Sequence, residues 1–365
     1  MTSPPPRPLT HGRRSLGGCV GAAALAVVAA IALPRVPAGA AIVDPELRKT
    51  IIGGLDWLAF TQHRQGHWNA QGRYPVAMTA LAGLAMLAEG STTTEGKYAE
   101  NIRRAVDYLT RRVRPNGLIG DVEDDRYTYG HGFAMLFLSE VLGEEEDQPR
   151  RDELVDLLTR AVVFTGQAQT PAGGWGYVSW QDLREGGLAD EGSTTITQVQ
   201  GLRGCRNAGI PVPREVIEKA VKYIHNCTMD DGAVQYSSQG GGGRPAITAA
   251  AIACLYNAGE YDDQYVPRMQ KYCAAQLDPA ARDAFGHWHY AHFYYSQVRY
   301  REGGDAWNAY RSAIESRILR EATEVSVGQG KGYVWQQGYV GPVYTTSLNL
   351  IILQLENAYL PIYQR

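Results

Sequence analysis

The chain has 365 residues, of which 44% are hydrophobic and 20% charged, and a formal net charge of −3. That length can bury a sizeable core. No basic run or patch stands out, which argues against a nucleic-acid partner. In chain order, residues 1–40 come first and stand apart. They carry four arginines, no acid, an Ala/Val/Leu-rich run from Leu16 to Leu33, and Ala38-Gly39-Ala40 ahead of a cut near Ala41. This is the layout of an export signal, with an uncleaved anchor as the alternative that its many Ala and Gly residues disfavour, and Arg13-Arg14 suggests the twin-arginine type. The mature chain, 41–365, is then expected to have a charge of about −7, no stable membrane span, and a periplasmic or cell-surface location. Of its four cysteines, Cys205 and Cys254 lie in apolar helical runs. That favours buried thiols, as against disulfides among Cys205, Cys227, Cys254 and Cys273.

From residue 45 onward one unit repeats six times. A glycine followed two residues later by an apolar or aromatic residue occurs at Gly66/Trp68, Gly117/Ile119, Gly173/Trp175, Gly232/Val234, Gly286/Trp288 and Gly332/Val334. Amphipathic helical patterns precede these pairs at 45–62, 97–113, 151–169, 213–227, 266–276 and 306–322. After each pair comes a helix that is apolar nearly all round, as at 77–90, 132–143, 247–259 and 345–360, and helices of that kind are buried on most sides. Six hairpins of one wetter and one drier helix predict an all-α fold, an α6/α6 toroid with an inner apolar ring and an outer amphipathic ring in one domain over 41–365. An open solenoid would need polar capping repeats, and the last repeat is among the most apolar.

Two of the turns, "QHRQGHW" (Gln62, Gly66, Trp68) and "QTPAGGW" (Gln169, Gly173, Trp175), fit a Q-x(2–5)-G-x-W motif. On these motifs and on the six-hairpin period, the chain resembles the repeat superfamily of squalene cyclases and protein prenyltransferase β-subunits. The segments "YGHGFA", "SSQGGGGRPAITA" and "GPVYTTSLNLIILQLENAYLPIY" look most like its exported bacterial branch. The resemblance implies the toroid and an isoprenoid-like ligand. It also implies catalytic motifs that are not found. In "DVEDD", Val122 stands where the cyclases' D-x-D-D has its first Asp, and the run reads as a solvated acidic loop. In "MDDGAVQY", Ala233 stands at the cysteine of the prenyltransferase zinc turn, so no metal or cofactor is expected. "RGCRNAG" lacks the Glu and Gln of a thioester strip.

Counting back eleven or twelve residues from Gly90, Gly143, Gly209, Gly259, Gly303 and Asn357 gives one shared level: Thr79, His131, Thr197, Thr248, His292 and Thr346. The fifth repeat is compressed, and counting forward from Gly286 gives Arg299 instead. On the first register His131 and His292 would face each other across a central cavity. Tyr127, Tyr129 and the glycines beside His131 would suit a ligand's approach. Threonine near a helix start is ordinarily a cap, and a lone histidine there is more often packed than catalytic. The aromatic run "GHWHYAHFYYSQVRY" supplies Trp288, Tyr290, Tyr294 and Tyr295 either to the core or to a cavity wall. Asp190 is either a cap of the third dry helix or an acid at the cavity mouth. The four glycines of "SSQGGGGRP" are either a lid or a plain turn. The candidate catalytic residues are thus His131, Asp190 and His292. The candidate ligand contacts are Tyr127, Tyr129, Trp175, Thr197, Thr248 and Trp288, with Tyr290, Tyr294, Tyr295, Tyr344 and Thr346. Three functions stay open: a toroid for an isoprenoid-like apolar small molecule, a scaffold for a protein partner, and a glycan-active toroid.

Overall fold

A computed structural model describes residues 44–121, 124–282 and 286–364. The proposed signal, together with Val122 and Glu123 of the acidic run, lies outside the described residues. The outer helices are α1 (Pro45–Thr61), α3 (Ala99–Thr110), α5 (Gln148–Ala168), α7 (Arg214–Cys227), α9 (Val266–Gln276) and α11 (Gly304–Glu321). The inner helices are α2 (Pro75–Leu87), α4 (Tyr127–Glu144), α6 (Gly192–Asn207), α8 (Pro245–Ala258), α10 (Trp288–Glu302) and α12 (Pro342–Leu353). Inner helices touch in the cyclic order α2, α4, α6, α8, α10, α12 and back to α2. The ring is closed, as the apolar last repeat requires. Gln354 Nε2 and Asn357 Nδ2 seal the seam by donating to the Ala85 and Ala88 carbonyls (3.1 and 3.0 Å).

The two kinds of helix differ as their patterns dictate. In α3, Ile102, Ala105, Val106 and Leu109 are buried while Arg103 on the opposite side is exposed. In α2 every residue from Val76 to Leu87 is buried, as expected for a helix walled in on all sides. Small residues let the inner helices approach closely. A Cβ on Gly132 would lie 2.7 Å from the Thr197 backbone, and one on Gly201 would lie 2.8 Å from the Gly132 carbonyl oxygen. The glycine after His131 therefore serves helix contact, which corrects its reading as room for a ligand.

The Q-x-G-x-W turn is a clamp between neighbouring repeats. Gly66, Gly117, Gly173 and Gly232 all have φ between +91° and +99°. A Cβ on any of them would come within 2.2–2.3 Å of a carbonyl oxygen on the next outer helix, so only glycine fits. Gln62 and Gln169 each bridge their own turn and that next helix, at 2.9 Å to each carbonyl. Trp68 and Trp175 turn back instead, donating their indole N–H to Leu58 and Thr165 of their own outer helices (2.8 Å each).

The sixth repeat departs from the expected form. Gly332 lies in a hairpin, β3 (Thr323–Val327) with β4 (Gly330–Val334), which packs on α1. Trp335, one residue past the expected Val334, takes the tryptophan's role and donates to the Ile318 carbonyl at 2.7 Å. A second small hairpin, β1 (Gln235–Ser237) with β2 (Gly240–Gly243), is formed by the glycine run. Among the described residues the helical ring is thus decorated by two hairpins that the repeat pattern does not foretell. Cys205, Cys227, Cys254 and Cys273 are buried and free.

Candidate functional site

The shared level of threonines and histidines exists, and its work is structural. Thr79, Thr248 and Thr346 accept the turn N–H of Trp68, Val234 and Trp335 at 2.9–3.2 Å. In the third repeat the acceptor of the Trp175 N–H is Thr195 (3.1 Å). Thr197 bonds within its own helix to the Thr194 carbonyl, so the counted register is two residues off there. His131 makes the same bond with a ring nitrogen: Nδ1 accepts from the Ile119 N–H at 3.0 Å. That leaves the proton on Nε2, which lies 2.9 Å from Thr165 Oγ1 on α5. Burial pushes its pKa down to about 3, so the ring stays neutral. His292 likewise reaches outward, with Nδ1 2.7 Å from the Tyr310 hydroxyl on α11. The expected pair of histidines facing across a cavity is therefore corrected. Both point between the rings, where a buried polar edge needs a fixed partner.

The pocket lies at the end where the inner helices begin. It encloses about 810 Å³ and is lined by residues from the starts of all six of them and from the loops between. Ala77, Met78, Leu81, Phe133, Ala246, Ile247 and Val340 supply apolar surface. Seven tyrosines join them: Tyr74, Tyr129, Tyr177, Tyr236, Tyr290, Tyr339 and Tyr344. Charge comes from Arg73, Arg126, Arg244, Asp124 and Asp125, with His287 close by. Of the sequence candidates, Tyr129, Tyr290 and Tyr344 line this pocket, and Trp288 lines a smaller one beside it.

The remaining candidates lie elsewhere. The Tyr127 hydroxyl donates to Asp182 (2.5 Å) and accepts from the Ser179 N–H (2.7 Å), which ties down the insertion before α6. Trp175, Thr248 and Thr346 are buried in the turn level, Thr197 is buried within α6, and Tyr294 is buried in the core. Tyr295 stacks edge-on against Tyr310 between the rings. Asp190 is 1% exposed and accepts from the Ser238 N–H (2.8 Å) and hydroxyl (2.6 Å). It anchors the β1–β2 hairpin, neither capping α6 nor lining the pocket.

The cap of α6 is Glu191. It is fully buried and accepts from the N–H groups of Ser193 and Thr194 (3.0 and 2.6 Å) and from the Ser193 hydroxyl. The Tyr129 hydroxyl donates to it at 3.0 Å and also contacts Ser193 Oγ, while Tyr290 donates to the Ser193 carbonyl at 3.2 Å. Burial raises the Glu191 pKa above its ordinary value despite those hydrogen bonds. A buried carboxyl group thus sits one hydroxyl away from the pocket. Among the described residues no group of three or more His, Cys, Asp or Glu side chains is placed to hold a metal ion.

Sequence reading missed most of the mouth. Asp124 and Asp125 border the pocket, where a solvated loop was expected, and Asp125 pairs with Arg73 at 3.2 Å. A signal was available. Tyr74, Arg126, Glu191 and Arg244 are each the residue immediately before an inner helix. Counting to a level inside those helices passed over them. Tyr74 also holds a left-handed backbone (φ +54°), uncommon for an aromatic residue and often tolerated at binding sites.

No family model and no curated protein sequence matches the chain. Solved structures do match it. The type II terpene cyclase MstE from Scytonema, an Asp-to-Asn variant with geranylgeranyl dihydroxybenzoate, is 14% identical over 86% of this chain and 98% of that one, with a TM-score of 0.55. An inactive variant of the α-1,6-mannanase GH76A of Salegentibacter sp. HEL1_6 with α-1,6-mannotetrose is 10% identical over 87% and 100%, with a TM-score of 0.59. The unsaturated glucuronyl hydrolase from Bacillus sp. GL1 is 13% identical over 85% and 96%, with a TM-score of 0.58. The fold is thus the α/α toroid, a frame shared by terpene cyclases and sugar-active enzymes. At these identities the likeness establishes the frame and leaves the activity to the site.

Proposed function

We propose that this protein binds an isoprenoid-like apolar ligand in the pocket at the start of the inner helices, and that it does so after export. The observation that carries the reading is the lining: aliphatic side chains and Phe133 framed by seven tyrosines. Tyrosine rings supply broad apolar contact with a polar tip, and a volume of about 810 Å³ lies within the range for small-molecule sites. No reaction is assigned, because Val122 and Ala233 replace the residues on which the resembling enzymes' chemistry depends. Among the described residues no helix is long and apolar enough to cross a membrane. A glycan-active reading has one specific observation behind it, the neighbouring carboxylates Asp124 and Asp125 at the mouth.

Tyrosine and tryptophan fluorescence of the mature chain, titrated with farnesol, geranylgeraniol, farnesoic acid and α-1,6-mannotriose, separates the two. Saturable binding of the prenyl compounds without the sugar supports the proposal. Binding of mannotriose alone, or of nothing, overturns it. Ala246→Trp, which fills the pocket from α8, should abolish prenyl binding while the helical circular dichroism is retained. Export is checked by fractionating host cells: mature chain found only in the cytoplasm would refute it.

A further inference from the structure

Two features of the mouth have no use in an apolar pocket as such. The first is the convergence of inner-helix starts. Arg126 and Arg244 immediately precede α4 and α8, and Tyr74 precedes α2. α2, α4, α8 and α12 begin without a side-chain cap, and residues at or beside each of these starts line the pocket. Helix N-termini carry partial positive charge, so several of them directed at one cavity favour an anion there.

The second is an arch of two tyrosines and two arginines. Tyr177, from the insertion before α6, and Tyr236, from the β1–β2 hairpin, are joined through their hydroxyls. The Arg126 guanidinium packs over the Tyr177 ring at 4.5 Å, and that of Arg244 over Tyr236 at 5.9 Å. Among the described residues neither arginine has a carboxylate within ion-pair distance, whereas Arg73 does. Both acids at the mouth are already engaged: Asp125 with Arg73, and Asp124 Oδ1 with the Arg126 backbone N–H at 2.9 Å. Two guanidiniums are thus laid on aromatic shelves beside an apolar cavity, their forked donors matched to an oxyanion.

We propose that the ligand's apolar chain ends in a carboxylate or phosphate head, gripped at the mouth by Arg126 and Arg244. This rests on the apolar-ligand reading above and deepens it. The head would lie under the Tyr177–Tyr236 arch, with the chain running toward Met78, Leu81 and Phe133.

The test compares farnesol, farnesoic acid and farnesyl monophosphate by titration calorimetry on the mature chain, at about 50 and about 300 mM salt. The expected result is that at least one anionic compound binds roughly tenfold more tightly than the alcohol. The advantage should shrink in the higher salt, and the stronger of the two anions tells carboxylate from phosphate. In the double variant Arg126→Gln/Arg244→Gln the ratio should fall toward one. Should that variant fail to fold, the wild-type ratio and its salt dependence still decide. Farnesol binding with no anionic advantage overturns the head-group proposal and leaves the apolar pocket standing. An advantage that survives in a folded double variant overturns the assignment to these two arginines. Binding of none of the three compounds removes the apolar-ligand reading itself.

Discussion

Where the inner helices start, α2, α4, α8 and α12 lack a side-chain cap, charged residues crowd the loops, and a cavity opens. Where they finish, the chain's last residues close the ring: Leu360, Ile362 and Tyr363 are buried, and side-chain amides of Gln354 and Asn357 satisfy carbonyls at the end of α2. Both ends face the same problem, orphan backbone groups at helix termini. One end solves it with its own side chains. At the other the donors stay available, and the arginines there reinforce the same sign of charge. The difference between a sealed and an open end is what makes a repetitive ring into a vessel.

The largest effect should come from unsealing the closed end. A chain ending at Tyr359 loses three buried side chains, each contributing about 1.5–3 kcal/mol. Urea unfolding should then show a stability loss of roughly 5 kcal/mol. The next effect depends on pH. Glu140, on α4 beside the C-terminal segment, is 5% exposed and takes a backbone hydrogen bond from Ile362, and burial raises its pKa from 4.5 to about 8. The unfolded chain gives up this proton first. Stability from this group is therefore present below about pH 4.5 and lost as pH rises toward 8, a change of a few kcal/mol. Glu140→Gln should flatten that decline in thermal melts taken across the range. A decline unchanged in the variant would place its origin in another group.

His131→Thr should act more weakly and in the opposite direction of pH. Its folded pKa lies below the unfolded value, so its stabilisation is complete above about 6.5 and fades as pH falls toward 3. Threonine can still accept the Ile119 N–H but deprives Thr165 of its histidine partner, leaving it the Ala161 carbonyl of its own helix, and opens a small void, a loss of about 1–2 kcal/mol. Ligand binding should be unchanged, because the histidine belongs to the wall between the rings. Binding lost in a variant that remains folded would restore its candidacy for the site. The smallest effect, about 1 kcal/mol, is expected for Asp190→Asn. That change weakens the grip on Ser238 and loosens the hairpin bearing Tyr236, and hydrogen exchange confined to 235–243 would show it.

Periodicity determined the frame. Six glycine turns and two kinds of helix repeat one local solution, and with no polar terminal repeat the ring must close on itself. The threonine–histidine level was legible too, since the first four repeats and the sixth have the same turn N–H to satisfy. Its meaning was not, because a counted register does not tell which side of a buried helix a side chain leaves from. The aromatic run of α10 sent only Tyr290 into the main pocket and turned Tyr295 and His292 toward α11. The mouth was the least legible part. Arg126 and Arg244 share the position just before an inner helix, but Arg73, Tyr177 and Tyr236 belong to different repeats and to non-repeating loops, so no pattern in the sequence groups them with the two arginines. Their meeting depends on ring closure, which brings six helix starts to one place. The sequence by itself determined that a toroid forms, through burial of apolar helix faces. Only the tertiary structure decided which end is sealed and which side chains converge at the open one, because convergence is a property of the closed ring and of no single repeat.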